Sequence, residues 1–215
     1  LMREQDTPHF VVVFDAPGKT FRDRLYSEYK ANRPPMPDEL RSQIDQVHAV
    51  IEAMGLPLLS IPDVEADDVI GTLAKAAPSA GMDAFIVSGD KDLAQLVGRG
   101  VVMCDSMKNV VYDEKGVEEK FGVPPDRIID FLALVGDTSD NIPGVPKVGP
   151  KTASRWLMEY GSLDTLVANA DSIKGKVGEN LRGSLDQLAL SRQLATIKCD
   201  VPLEKELEAL VISPA

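Results

Sequence analysis

Four short apolar runs, spaced so that helices fit between them, limit the fold of this chain more than any other feature. The first is His9-Phe-Val-Val-Val-Phe-Asp15; Leu58 to Ile61, Ala84 to Val87 and Val101 to Cys104 are similar. Nearly unbroken apolarity marks strands buried on both faces, the condition of a parallel sheet covered by helices. Leu40, Ile44, Val47, Val50, Ile51 and Met54 share one helical face, with Gly55 as a stop, and a second helix is expected from near Asp67 to a break at Pro78. The pattern predicts an α/β layer fold with a mainly parallel sheet flanked by helices.

Beyond Pro124-Pro125 only helical patterns remain: 126–135, 150–160, 163–170 and roughly 178–197. A boundary is therefore expected near residue 130, dividing an α/β unit (1–130) from an all-helical one (131–215). Between the first strand and the first strong helix, residues 19–37 read as a surface loop or arch. The chain opens on Leu1, and Leu1 to Gln5 reads as the end of a helix, so an earlier segment is expected.

At 215 residues, with 44% hydrophobic and 27% charged, the chain can build a core. Cys104 and Cys199 are too few for a disulfide framework or a clustered zinc site, and no apolar stretch has the length of a membrane span. A location in the cytoplasm, away from membranes, is expected. The net charge of −11 argues at first against nucleic acid.

The placement of the acids reverses that argument. Asp15 ends one strand, Glu65, Asp67 and Asp68 open a helix after another, Asp90 and Asp92 follow a third, and Asp137 and Asp140 precede a Gly-rich turn. Each group alone has an ordinary reading: an acidic first helical turn for Glu65 to Asp68, a surface turn for Asp90 to Asp92, a polar capping loop for Asp137 to Asp140. Together they favour a metal site, because ligands of open α/β sheets bind beyond the carboxyl ends of the strands. Crowded carboxylates demand cations, and hard oxygen donors select Mg2+ or Mn2+. Two such ions roughly 4 Å apart would form a clamp for phosphoryl transfer. His9 and His48 are too few and poorly placed for a histidine-based triad, which leaves a metal-activated water as nucleophile.

Two segments can face phosphates. Lys19, Arg22, Arg24, Lys30 and Arg33 against Asp23 and Glu28 give a local balance of +3, and Tyr26 and Tyr29 add stacking faces. Gly144-Val-Pro-Lys147-Val-Gly149-Pro-Lys151-Thr152-Ala153 is a glycine-punctuated turn feeding a helix through Pro150, where backbone amides can reach an anion. A solvated loop and an ordinary helix connection are the plain alternatives.

These motifs, in this order, resemble the 5'-nuclease domains of bacterial DNA polymerase I within the flap endonuclease superfamily. The resemblance covers nearly the whole chain and rests on Val13 to Ala16, Thr20-Phe-Arg22, Tyr29-Lys30, Arg33-Pro-Pro, Val64 to Asp68, Ser88 to Asp92, Leu134 to Asn141 and Gly144 to Ala153. It implies a PIN-like domain followed by a helix-three-turn-helix duplex-binding module. Asp15, Glu65, Asp67 and Asp68 would serve a first metal, and Asp90, Asp92, Asp137 and Asp140 a second. Lys30 and Arg33 would hold the phosphates of a threaded 5' strand in a catalytic role. Lys19, Arg22, Tyr29, Gly144, Lys147, Gly149, Lys151 and Thr152 would contact DNA, with K+ on the turn carbonyls.

The implied partners are 5'-flap, nicked or gapped duplexes and RNA primers on DNA, met at the bacterial nucleoid by a monomer, with a polymerase following on the same polypeptide. The family also carries an earlier strand ending in an aspartate of the first site, which this sequence lacks ahead of Leu1; a DNA-structure-binding module with impaired cleavage is therefore the alternative. A phosphatase built on Asp15 is disfavoured by Pro17, and a PIN-type ribonuclease by the helical half.

Overall fold

The computed structural model describes residues 7–213, so the expected helix end at Leu1 to Gln5 lies outside the described residues. The first strand, β1 (Val12–Val13), is much shorter than the apolar run that contains it. Thr20 then starts α1 (Phe21–Leu25), its hydroxyl accepting from Arg22 N while Asp23 accepts from Thr20 N. The expected 40–54 helix is two pieces, α2 (Asp38–Arg41) and α3 (Ile44–Ala53), and β2 (Leu58–Leu59) follows.

The anticipated apolar face of α3 does not point into a core. No residue of α3 is buried; Val47, Val50 and Met54 are among the exposed large hydrophobics, as is Leu40 of α2. The amphipathic spacing was real, yet β2 and the ring of Phe14, which meets His48 edge-on at 4.5 Å, lie against the helix without burying that face.

Helix α4 (Ala66–Ala76) begins with an acidic first turn, where the helix dipole favours negative charge, and buries Val69, Leu73 and Ala74. Strands β3 (Ala84–Val87) and β4 (Val101–Asp105) pair in parallel, and an unanticipated β5 (Val110–Tyr112) adds antiparallel to β4. β1 and β2 also pair in parallel, so the described strands form two separate sheets, β1-β2 and β3-β4-β5.

The rest is helical: α5 (Glu114–Phe121), α6 (Ile128–Val135), α7 (Pro150–Tyr160), α8 (Leu163–Ala168), α9 (Gly175–Gly183) and α10 (Leu185–Ala195). The single helix expected over 178–197 is broken at Ser184 into α9 and α10. α6 is apolar nearly all round and is the centre of the molecule, with α7 and α10 packed on it. One continuous core runs from Ile86, Leu93 and Met103 beside the sheet to Phe131, Leu134, Trp156 and Leu181 among the helices.

Candidate active site

The acids leave the ends of β1, β2 and β3 and the loop after α6. Asp15 is exposed, and its Oδ1 accepts from Ala66 N at 2.7 Å, which ties the end of β1 to the start of α4. Asp90 caps the short 3-10 helix Lys91–Leu96, its side chain accepting from Asp92 N at 2.9 Å. Asp137 is fixed by a two-way backbone ladder with Ile142 and by its Oδ1, which accepts from Ser139 N at 2.6 Å.

Burial and neighbouring charge show which acids share a field. Asp67 is pushed up to about 7, first by burial, then by Asp90, Glu65, Asp15 and Asp92. Asp92 rises to about 6, chiefly through burial, with Lys91 opposing and Asp90 and Asp137 adding. The carboxylates of three strand ends and the α6 loop thus form one chain of interacting charges.

Basic side chains are interleaved among them. Lys30 Nζ pairs with Glu65 and lies 3.8 Å from Asp140, while Arg33 pairs with Asp140. Lys91 Nζ pairs with Asp137 and lies 3.2 Å from Asp92 Oδ1. Among the described residues no three of His, Cys, Asp and Glu converge closely enough, as they stand, to hold a metal ion. The assembled ligand clusters expected from sequence are therefore not present in this arrangement. Like charges stay apart, and the three cations neutralise them instead.

Three expectations need correction. Asp68 is fully buried: Arg22 donates to both its oxygens at 2.7 and 2.8 Å, and the amides of Glu65 and Lys198 donate to it at 2.9 and 2.8 Å. With its lone pairs so occupied it is a structural acid, not a candidate ligand. Arg22, expected on DNA, is equally buried and also donates to the carbonyls of Leu194 and Thr196 at 3.0 and 2.8 Å. Its guanidinium cannot reach a phosphate.

Tyr29, expected as a stacking face, is 5% exposed and packs with Ile142 and Leu194. Its hydroxyl donates to Glu65 at 3.0 Å and lies 3.3 Å from Asp140 Oδ2, and burial followed by those two charges holds its pKa far above the ordinary phenol value.

Nor is the 19–37 segment a free arch throughout. Asn32 donates to Thr138 O at 2.7 Å, Arg33 Nε to Ser139 O at 3.2 Å, and Lys30 N to Asp140 O at 2.9 Å, so residues 29–33 dock on the 138–141 loop. Residues 31–40 are exposed, as is Lys19.

The Gly-rich turn divides its glycines between two duties. A Cβ on Gly144 would lie 2.3 Å from Val135 O and 2.6 Å from Gly136 N, so this glycine lets the turn press against the end of α6. Gly149 faces open space immediately before α7, and Lys147, which adopts φ +65°, and Lys151 are exposed beside it. Thr152 is half-buried, its amide donating to Gly149 O at 3.0 Å. Gly149, Lys147 and Lys151 present an accessible basic helix start; Gly144 does not.

The donor set suits a hard divalent cation. Every acidic side chain offers oxygen alone, burial and then the neighbouring acids raise the Asp67 carboxyl, a charge that a cation would relieve, and the buried Asp92 Oδ1 has no hydrogen-bond partner. Lys91 is the residue of this site that sequence reasoning passed over. Its position between Asp90 and Asp92 was the available signal, since a cation between two acids is placed to neutralise one of them.

Comparison with known proteins agrees with this architecture. The family described as "5'-3' exonuclease, N-terminal resolvase-like domain" matches residues 1–122, and "5'-3' exonuclease, C-terminal SAM fold" matches residues 123–215. DNA polymerase I of Pseudomonas aeruginosa is 52% identical over 213 residues, covering 95% of this chain and 23% of that protein. DNA polymerase I of Rhizobium leguminosarum is 47% identical, covering 96% of this chain and 20% of that protein. The chain thus spans about a quarter of the curated polymerases it matches. A 5'-3' exonuclease of Buchnera aphidicola is 46% identical over 200 residues, covering 90% of this chain and 66% of that protein.

Among solved structures, bacteriophage T5 5'-exonuclease with bound divalent zinc superposes with a TM-score of 0.79 at 22% identity, covering 91% of this chain and 77% of that one. At that identity the likeness speaks for the fold. An N-terminal resolvase-like domain and a C-terminal SAM fold, both of the 5'-3' exonuclease, together match all 215 residues: the chain belongs to the 5'-3' exonuclease family.

Proposed function

We propose that the protein is a divalent-metal-dependent, structure-specific 5' nuclease that hydrolyses DNA phosphodiesters during primer and flap removal in the bacterial cytoplasm. The observation that carries this reading is Asp67, whose carboxyl is raised by burial and by Asp90, Glu65, Asp15 and Asp92 together. Acids from three strand ends share one field there, and Lys30 and Arg33 approach Glu65 and Asp140 from the basic segment.

Asp15, Glu65 and Asp67 would hold one ion and Asp90, Asp92, Asp137 and Asp140 another, either Mg2+ or Mn2+. Bound there, divalent ions would activate water and stabilise the leaving oxygen. Lys30 and Arg33, now paired with carboxylates, would turn to the scissile phosphate and neutralise charge that builds on it. The Tyr29 hydroxyl, bridging Glu65 and Asp140, would keep the two acid groups in register. Residues 131–215 would grip the downstream duplex through Lys147, Gly149, Lys151 and Thr152, with K+ on the turn, while residues 1–130 cut.

A second reading, a DNA-structure-binding module without cleavage, draws on the dispersed carboxylates and the three interleaved cations. Cleavage of an end-labelled 5'-flap duplex separates the two. The nuclease reading expects flap release in Mg2+, lost on chelation and in Asp90→Asn. Tight binding in Ca2+ with no release in Mg2+ or Mn2+ overturns it in favour of the second reading.

A further inference from the structure

Lys91 joins two acids that are each held still by backbone. Asp92 sits in the 3-10 turn capped by Asp90, and Asp137 is pinned through Oδ1 by Ser139 N and Asp140 N at 2.6 and 3.3 Å. The two carboxylates meet at the ammonium: Asp137 Oδ2, the oxygen not taken up by those amides, pairs with Lys91 Nζ, and the buried Asp92 Oδ1, which has no hydrogen bond, lies 3.2 Å from the same Nζ. One ammonium therefore spans the two acids, between an oxygen of each.

The lysine itself is not locked in. Its side chain is 43% exposed, so the stem can swing into solvent without opening a cavity, whereas the two acids, 15% and 9% exposed, cannot follow. A compact ammonium on a flexible stem is suited to leaving and returning. A divalent ion that bridges Asp137 Oδ2 and Asp92 Oδ1 takes the place of the ammonium, so at that position the two cations exclude one another.

We infer that Lys91 is the resident counter-cation of the Asp92–Asp137 pair, holding the two acids together in the metal-free protein and withdrawing when a divalent ion bridges those two oxygens. It acts on the reaction as a positioning residue and sets how tightly that ion binds. This rests on the metal-dependent reading above. Once displaced, the ammonium is free to meet a DNA phosphate, so DNA and this ion favour each other's binding by mutual linkage.

The test is Mn2+ binding followed by electron paramagnetic resonance on the folded protein without DNA, comparing wild type, Lys91→Gln and Lys91→Arg, with the Mn2+-dependent rise in Tm as a second readout. Lys91→Gln should bind one ion roughly tenfold tighter, a coupling of ordinary size for two sites that exclude each other. It should also show the larger rise in Tm. Lys91→Arg, which keeps the charge, should behave as wild type, and adding Asp92→Asn to Lys91→Gln should abolish the gain. Equal affinities for wild type and Lys91→Gln, or tightening by Arg as well as Gln, overturn the role of Lys91 and leave the metal site standing. Absence of Mn2+ binding in every protein overturns the metal site and this role together.

Discussion

Arg22 and Asp68 form a two-pronged ion pair, at 2.7 and 2.8 Å, that is closed to solvent and lies where the basic segment, α4 and the chain after α10 meet. Arg22 also donates to the carbonyls of Leu194 and Thr196 and lies with Nη1 3.2 Å from Glu65 Oε2, and Asp68 accepts from two amides. Desolvation alone would discourage the buried guanidinium, but Asp68 holds its pKa above the ordinary arginine value.

Removing either partner leaves a buried charge without compensation. Arg22→Ala and Asp68→Asn should each cost about 3–5 kcal/mol in urea unfolding. The double substitution Arg22→Met with Asp68→Leu should cost less than the sum of the two single losses, because it leaves no uncompensated charge. Single variants within about 0.5 kcal/mol of wild type would show that the pair is not structural.

Lys30 and Arg33 stand apart from that tie, since they reach outward acids and retain exposure. Lys30→Ala should lower flap cleavage by about 10²–10³, the usual effect of losing one group that stabilises developing charge. Its Tm should stay near that of wild type. Equal cleavage by wild type and variant would remove Lys30 from the catalytic machinery.

The raised carboxyls give the metal-free protein a distinctive pH dependence. Asp67 at about 7 and Asp92 at about 6 hold protons in the folded state that the unfolded chain, with carboxyls near 3.8, has already released. Between those values the folded state binds more protons, so stability falls as pH rises through the window. In a chelator, Tm should be higher at about pH 5 than at about pH 7.5, and Asp67→Asn should flatten the difference. A Tm that rises over the same interval contradicts the assignment.

Gly144 and Gly149 make a matched pair of substitutions. Gly144→Ala drives a methyl to 2.3 Å from Val135 O, against backbone that has little freedom to yield, and should cost roughly 1–3 kcal/mol. Gly149→Ala meets nothing within 4 Å and should leave the melting curve unchanged while weakening duplex binding in a gel-shift assay. Unchanged affinity would show that the duplex does not approach at Gly149.

Much of this was legible in the residues. The apolar runs at Ala84 to Val87 and Val101 to Cys104 became the paired strands β3 and β4, because local propensity and burial agree there. Asp90 and Asp92, expected just beyond a strand, do follow β3, and Asp92 lies within the field of Asp90 and Asp137. Arg22 and Tyr29 were misread because a basic, aromatic stretch looks the same whether it meets phosphate or carboxylate. Only the fold brings Asp68 and Glu65 beneath it. The helix at 40–54 was misplaced for a related reason: periodicity reports that a face is apolar, not that anything covers it.

The two-sheet arrangement also assigns an order of opening to the molecule. β1 and β2 share a ladder of two residues each, and α3 beside them buries none of its side chains, whereas α6 is sealed within the common core. Amides of β1, β2 and α3 should exchange with deuterium by local excursions that leave α6 protected, while those of α6 wait for global unfolding. Asp15 belongs to the early-opening element and Asp137 follows the late one. Asp15, held by one bond to Ala66 N, and Asp137, held by the ladder to Ile142, thereby follow parts of the chain that should differ in rigidity.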